Sequence, residues 1–218
     1  MPARNIWRSK RLIYKPVETT DEPFLESLNH HGSDAFLKAT DQLPVPQGPR
    51  GATQHREFLQ SCLLGCIIYL PAPEEKASSD PANPTSENNA TTKNKDKDIP
   101  VGTIALQPLD LVRSHHRATK LGISIHASHQ KKGYGSEAIL WALEWAFKHA
   151  NLHRIGIEAF AWNEGAWKLY ERLGFVMEGR TRECVWFDGG WGDVVSLGML
   201  GAEWWGRYGG KGSDVVRV

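Results

Sequence analysis

A chain of 218 residues and 24.4 kDa holds enough apolar material for one well-buried domain and too little for two ordinary ones, so the expectation is a single domain over residues 1–218. Lys and Arg total 26 against 25 for Asp and Glu, and a net charge of +1 gives no global field to draw the protein to nucleic acid or an anionic membrane. Cys62, Cys66 and Cys184 make neither a disulfide framework nor a zinc ligand set, and no stretch approaches the ~20 apolar residues of a spanning helix. The first residues are basic but have no apolar core, unlike a secretory signal, and a cytoplasmic protein that binds no metal is expected.

Residues 11–18 have strand composition, and Asp21 is placed to cap a helix that begins near Pro23 and stops near Gly32. A second short helical stretch starts at Asp34, after which Pro44, Pro46, Pro49 and Gly51 read as a break in regular structure. Residues 63–70 and 102–106 are apolar strands suited to neighbouring places in an antiparallel meander. Between them, residues 71–98 contain no aromatic, Val, Leu or Ile. Such a segment cannot bury enough apolar surface to offset its ordering entropy, so a disordered insertion between two paired strands is expected.

The second half carries stronger patterns. Residues 120–126 form a strand with Leu121, Ile123 and Ile125 alternating onto one face. Residues 136–149 place Ile139, Ala142, Leu143, Ala146 and Phe147 on one stripe, as in a helix lying on a sheet. Residues 153–162 read as a strand and residues 164–173 as a short helix closed by Gly174. Two further strands, residues 175–187 and 193–200, meet at the hairpin signal Asp188-Gly189-Gly190. Residues 201–218 are Gly-rich and read as a loosely held tail. This order gives a mixed α/β sheet with some parallel pairing through a helical crossover.

The segment Gln130-Lys131-Lys132-Gly133-Tyr134-Gly135 joins a strand to a helix. Its glycines allow close backbone approach to a ligand, a helix N-terminus favours an anion, and two lysines add charge, all of which suit a pyrophosphate. A tight strand–helix turn with solvated lysines accounts for the same residues. The spacing is neither that of a P-loop nor G-x-G-x-x-G. His115, His116, His126 and His129 form no convincing metal set.

Taken with Asn163, the run Tyr170-Glu171-Arg172-Leu173-Gly174-Phe175, Glu178-Gly179, Arg182-Glu183, Asp188-Gly189 and Asp193, this loop resembles the GNAT superfamily of acetyl-CoA N-acetyltransferases. The pattern is similar to the branch containing ribosomal-protein N-terminal and spermidine acetyltransferases, strongly from Val101 to Leu200 and weakly from Arg11 to Leu70. The resemblance implies an α/β fold with a mixed, mostly antiparallel twisted sheet, flanking helices and one splayed parallel strand pair. It implies that backbone groups of Ile123, Ser124 and Ile125 pair with the pantetheine arm of acetyl-CoA. Gln130 opens the loop in which the amides of Lys131, Lys132, Gly133, Tyr134, Gly135 and Ser136 hold the pyrophosphate, and Asn163 bonds the arm from the other strand. Asn163 is equally suited to cap the helix that starts at Glu164.

Acetyl transfer needs a neutral amine, a stabilised oxyanion and usually a proton for the departing thiolate. Tyr170 stands where the family places its general acid, and a buried helical tyrosine fits the same position. Glu158, mid-strand between Ile157 and Ala159, is a base or amine anchor, or else a salt-bridge partner of Arg154 or Arg180. Glu178, Glu183, Asp188 and Asp193 border the acceptor side in this family. Trp162, Trp186 and Trp191 serve as walls for an ammonium group or as ordinary hairpin aromatics. The expected reaction is direct transfer in a ternary complex to a primary amine, either a protein N-terminus or a small amine such as a polyamine. The alternative is a non-catalytic acyl-CoA-binding module of the same fold. The sequence leaves the oligomeric state open.

Overall fold

The computed structural model describes residues 5–28, 48–72 and 98–209. The helical stretch expected from Asp34, most of the insertion at 71–98 and the last residues of the tail lie outside these. Seven strands form one sheet in the order β1-β2-β3-β4-β5-β7-β6. They are β1 (Ile13–Lys15), β2 (Leu64–Leu70), β3 (Ile99–Leu106), β4 (Ala118–Ile125), β5 (Arg154–Phe160), β6 (Val176–Phe187) and β7 (Gly190–Leu200). Every neighbouring pair is antiparallel except β4 and β5, which run parallel. The two strands flanking the insertion do pair, from Leu64↔Leu106 to Leu70↔Ile99.

Alternation along β3 separates two cores. Ala105 faces a small cluster with Val17, Leu25, Ala52, Leu59 and Ile67, built under α1 (Glu22–Leu28) and α2 (Pro49–Ser61). Ile104 and Leu106 face the main core, which α3 (Tyr134–Glu144) and α4 (Glu164–Arg172) cover. The five-residue apolar stripe of α3 is buried throughout, with Ile139, Ala142, Leu143 and Ala146 at 0% exposure. The helix continues into a π turn, Trp145–His149, that carries the end of the stripe, and Ala150 N–H reaches back five residues to Trp145 O.

Three expectations need correction. Pro49 and Gly51 do not break structure but open α2, because proline at the first helical position loses an N–H that has no intrahelical partner anyway. Asp21 does not cap a helix at Pro23. One of its carboxylate oxygens accepts from Glu18 N–H at 2.8 Å and the other from the Tyr69 hydroxyl at 2.6 Å. The tail is not loose over its first residues, since Gly201–Tyr208 forms α5. Trp204 is 4% exposed and packs on Phe147, while Tyr208 Oη and Arg207 Nη2 donate to Leu173 O and Arg172 O at the end of α4. The glycines of that stretch hide a Trp204–Tyr208 stripe of helical spacing and a Glu203 that accepts from Leu200 N–H, a capping arrangement.

The β6–β7 hairpin turns where expected. Asp188 and Gly189 both take positive φ, 45° and 82°, as a tight turn between paired Phe187 and Gly190 requires.

Candidate active site

The parallel pair comes apart. β4 and β5 are in register at Ala118↔Arg154, Thr119↔Ile155 and Lys120↔Gly156 and no further. β4 nonetheless continues to Ile125, still paired with β3 at Gly102, and β5 continues to Phe160, still paired with β7 at Val194. Each strand keeps its outer neighbour and loses the inner one, which leaves a wedge-shaped gap lined by backbone.

Alternation decides which groups face this gap. Lys120 O accepts from Gln107 N–H and His126 N–H donates to Val101 O, so the even-numbered residues of β4 turn their backbone toward β3. A Cβ on Gly102 would collide with Ser124 O, which fits that assignment. The backbone of Ser124 therefore serves the sheet, and those of Ile123 and Ile125 face the gap. Gln130 Nε2 donates to Ile125 O at 2.9 Å, placing Gln130 at the gap's end.

Beyond the gap the chain enters α3 through the loop. Lys131 and Gly133 take left-handed φ, 60° and 80°. Gly133 is the residue before the first helical position and has no capping side chain. Among the described residues, none of the backbone N–H groups of Lys131, Lys132, Gly133, Tyr134, Gly135 and Ser136 donates to a protein acceptor. Six clustered donors at a helix N-terminus fit a pyrophosphate. Lys131 and Lys132 are exposed, and Lys132 Nζ donates to Ser128 O at 2.9 Å.

Sequence reasoning missed what braces this loop from outside. Glu137, in the first turn of α3, accepts from Arg11 N–H at 2.6 Å, Arg11 Nε at 2.7 Å and the Ser9 hydroxyl at 2.7 Å. Burial acts to raise its carboxyl pKa, but these three donors and the guanidinium charge outweigh it, and the group sits below the usual glutamate range.

Tyr170 projects from α4 into the main core, 7% exposed, with its ring 6.1 Å from that of Phe175. Burial pushes its phenol up to about 12, so the group is protonated at neutral pH and can donate but not accept a proton. Its hydroxyl has no hydrogen-bond partner among the described residues. Asn163 occupies the N-cap of α4 through its backbone, with Asn163 O accepting from Ala166 N–H at 3.0 Å, but its side chain makes no cap bond. The amide is left for another partner.

Glu158 differs from expectation. It is exposed rather than buried, and its partner is neither Arg154 nor Arg180 but Lys120, whose Nζ lies 2.7 Å from Oε1. Ser196 Oγ is at 3.4 Å from the same oxygen. Arg154 pairs with Glu178 and Arg180 with Asp193. Ile157 and Ala159 point into the core with Tyr170, so Glu158 lies on the opposite face of the sheet. The Tyr170 phenol and the Glu158 carboxylate thus lie on opposite faces of the sheet.

On the face of Glu158, Phe160, Trp162 and Phe187 stack with centroids 4.7 Å apart at each step. Trp186 and Trp191 form an exposed edge-to-face pair across the hairpin. Among the described residues no group of three His, Cys, Asp or Glu could hold a metal ion, and no helix is long and apolar enough to cross a membrane.

The family model described as "Acetyltransferase (GNAT) family" matches residues 58–175. The spermidine N(1)-acetyltransferase of Vibrio cholerae is 32% identical over 55% of this chain and 69% of that protein. The [ribosomal protein uS5]-alanine N-acetyltransferase of Escherichia coli is 32% identical over 44% of this chain and 49% of that one. A crystal structure of the Vibrio cholerae spermidine N-acetyltransferase in complex with CoA and spermine superimposes with a TM-score of 0.67 at 21% identity, covering 90% of this chain and 99% of that chain.

Proposed function

Because this chain belongs to the acetyltransferase (GNAT) family and is an acetyl-CoA-dependent N-acetyltransferase, we propose that it acetylates the primary amine at the start of a protein or peptide by direct attack within a ternary complex. The observation that carries the cofactor half of this reading is the β4–β5 gap, which runs from Ile123 toward a loop with six unpartnered N–H groups. In this reading the pantetheine arm lies against Ile123 and Ile125, Asn163 bonds it from the start of α4, and residues 130–136 receive the pyrophosphate.

A neutral amine attacks the thioester carbonyl carbon, the new C–N bond forms and the C–S bond breaks. The leaving sulfur takes a proton from Tyr170, and the amine gives up its own toward Glu158. The buried, protonated phenol supports the first transfer and the opposite placement of Glu158 the second.

The relatives act on a polyamine and on a ribosomal protein's alanine, so the acceptor turns on local charge. A polycation would need several free carboxylates, yet three of the five named for the acceptor side, Glu158, Glu178 and Asp193, are each closed by a cation. That favours a singly charged amino terminus, with the Phe160–Trp162–Phe187 stack beside it for an apolar side chain. The three unpaired cysteines favour a reducing compartment such as the cytoplasm. A thiol-release assay with acetyl-CoA across N-terminal peptides, polyamines and aminoglycosides tests the reading. Turnover confined to peptides supports it, and spermidine as the best acceptor overturns the peptide assignment.

A further inference from the structure

The cofactor loop holds two residues in left-handed backbone, and one of them is not glycine. Lys131 at φ 60° is crowded by its own Cβ, so something outside the residue has to keep it there. Gln130 and Lys132 tie the loop back to Ile125 O and Ser128 O, toward the strand end. The helix side is tied by a segment remote in sequence, through Ser9 and Arg11 to Glu137 and, at the loop itself, through Arg11. Arg11, just before β1, donates from Nη1 to Lys132 O at 3.1 Å and from Nε to Glu137 at 2.7 Å. Its guanidinium carbon lies 4.9 Å from the centre of the Tyr134 ring, and a Cβ on Gly133 would come within 3.3 Å of its Nη2.

One planar fork thus meets Lys132, Gly133, Tyr134 and Glu137 at once. A lysine ammonium has neither the second arm nor the fixed geometry for this. Engaging the Lys132 carbonyl also occupies an acceptor whose negative end would otherwise be free to turn toward an incoming anion. The guanidinium charge is shared with the Glu137 carboxylate, so Arg11 acts on the loop through this geometry.

We propose that Arg11 is a positioning residue for acetyl-CoA, holding residues 131–133 in the shape that offers their N–H groups to the pyrophosphate. The proposal rests on the cofactor placement given above. Arg11 acts through the loop and touches no reacting atom, so its removal has to weaken donors that carry a pyrophosphate and spare donors that do not.

The test compares acetyl-CoA with S-acetylpantetheine, the same thioester without the nucleotide and its phosphates, in the full chain. Arg11→Ala is expected to raise KM for acetyl-CoA about 10- to 100-fold, as the loss of charge-assisted hydrogen bonds would, with kcat close to wild type. Activity toward S-acetylpantetheine should be unchanged. Arg11→Lys should fall between the two and carries the comparison if the alanine variant does not fold. Equal losses with both donors would assign Arg11 to folding alone and overturn the proposal, as would no loss with either. A wild-type protein inert toward both donors would instead refute the acetyltransferase reading on which the proposal rests.

Discussion

Lys120 and Glu158 form an ion pair of 2.7 Å at the place where β4 and β5 stop pairing, Lys120 belonging to the last register pair and Glu158 lying two residues past it. The carboxylate proposed here to meet the incoming amine is therefore already engaged, and on that reading Lys120 must share it or yield it during turnover. Both side chains are largely exposed, so the pair adds little to stability and its role is local.

Two substitutions separate the roles of this pair. Glu158→Gln is expected to lower kcat/KM for the amine about 10²-fold while leaving KM for acetyl-CoA alone. Lys120→Ala, which frees the carboxylate, should lower KM for the amine and tilt preference toward polycationic acceptors. If Glu158→Gln is fully active in a steady-state assay, Glu158 is only a surface partner of Lys120.

Gly192 has no room for a side chain. A Cβ there would collide with the ring of Trp162, which is stacked between Phe160 and Phe187 and has nowhere to retreat. Gly192→Ala is expected to destabilise the protein by about 1–3 kcal/mol through overpacking and to splay the hairpin. A melting curve measures the loss, and an unchanged Tm would show that the stack slides freely.

How legible these features were in the sequence depended on range. The stripe of α3, the Gly174 cap and the Asp188-Gly189 turn follow from local rules, and all stand in the structure. The loop stood out by its glycines and its place before a helix, whereas the role expected of Tyr170 came only from the resemblance to the family. What escaped is non-local. Nothing near Arg11 announces that it reaches Lys132 and Glu137, and nothing near Glu158 selects Lys120 over Arg154. α5 was missed for another reason, since its glycines outweighed a short apolar stripe whose value comes only from Phe147 and Leu173 beneath it. Proline at 49 shows that residue type without position misleads.

Glu137 makes the brace on the loop sensitive to acid. Its folded-state pKa is depressed below the unfolded value by the Arg11 and Ser9 donors, which outweigh burial. Between the two pKa values the unfolded chain binds more protons, so the stabilisation is complete above the ordinary glutamate range and is lost as pH falls through the lower, folded value. Glu137→Gln removes this titration. Its stability should fall less steeply than that of wild type below about pH 4.5, read by denaturant unfolding across pH. Parallel curves for the two proteins would place the acid sensitivity elsewhere.

In the reaction proposed here Tyr170 is the residue on which the chemistry turns. Its phenol, pushed up to about 12 by burial, stays protonated, and its hydroxyl bonds to no other described group, as a donor reserved for a leaving sulfur would. Tyr170→Phe keeps the ring against Phe175, so the packing of α4 and the affinity for CoA should be preserved. What is removed is one proton, and general acid catalysis is worth about 10²–10⁴-fold, so kcat should drop within that range. A thiolate can depart unaided, and the drop is therefore visible only where C–S cleavage limits the rate. Single-turnover measurement isolates that step. A Tyr170→Phe variant that matches wild type in a single turnover would return Tyr170 to the core as a packing residue and leave the thiolate to take its proton from water.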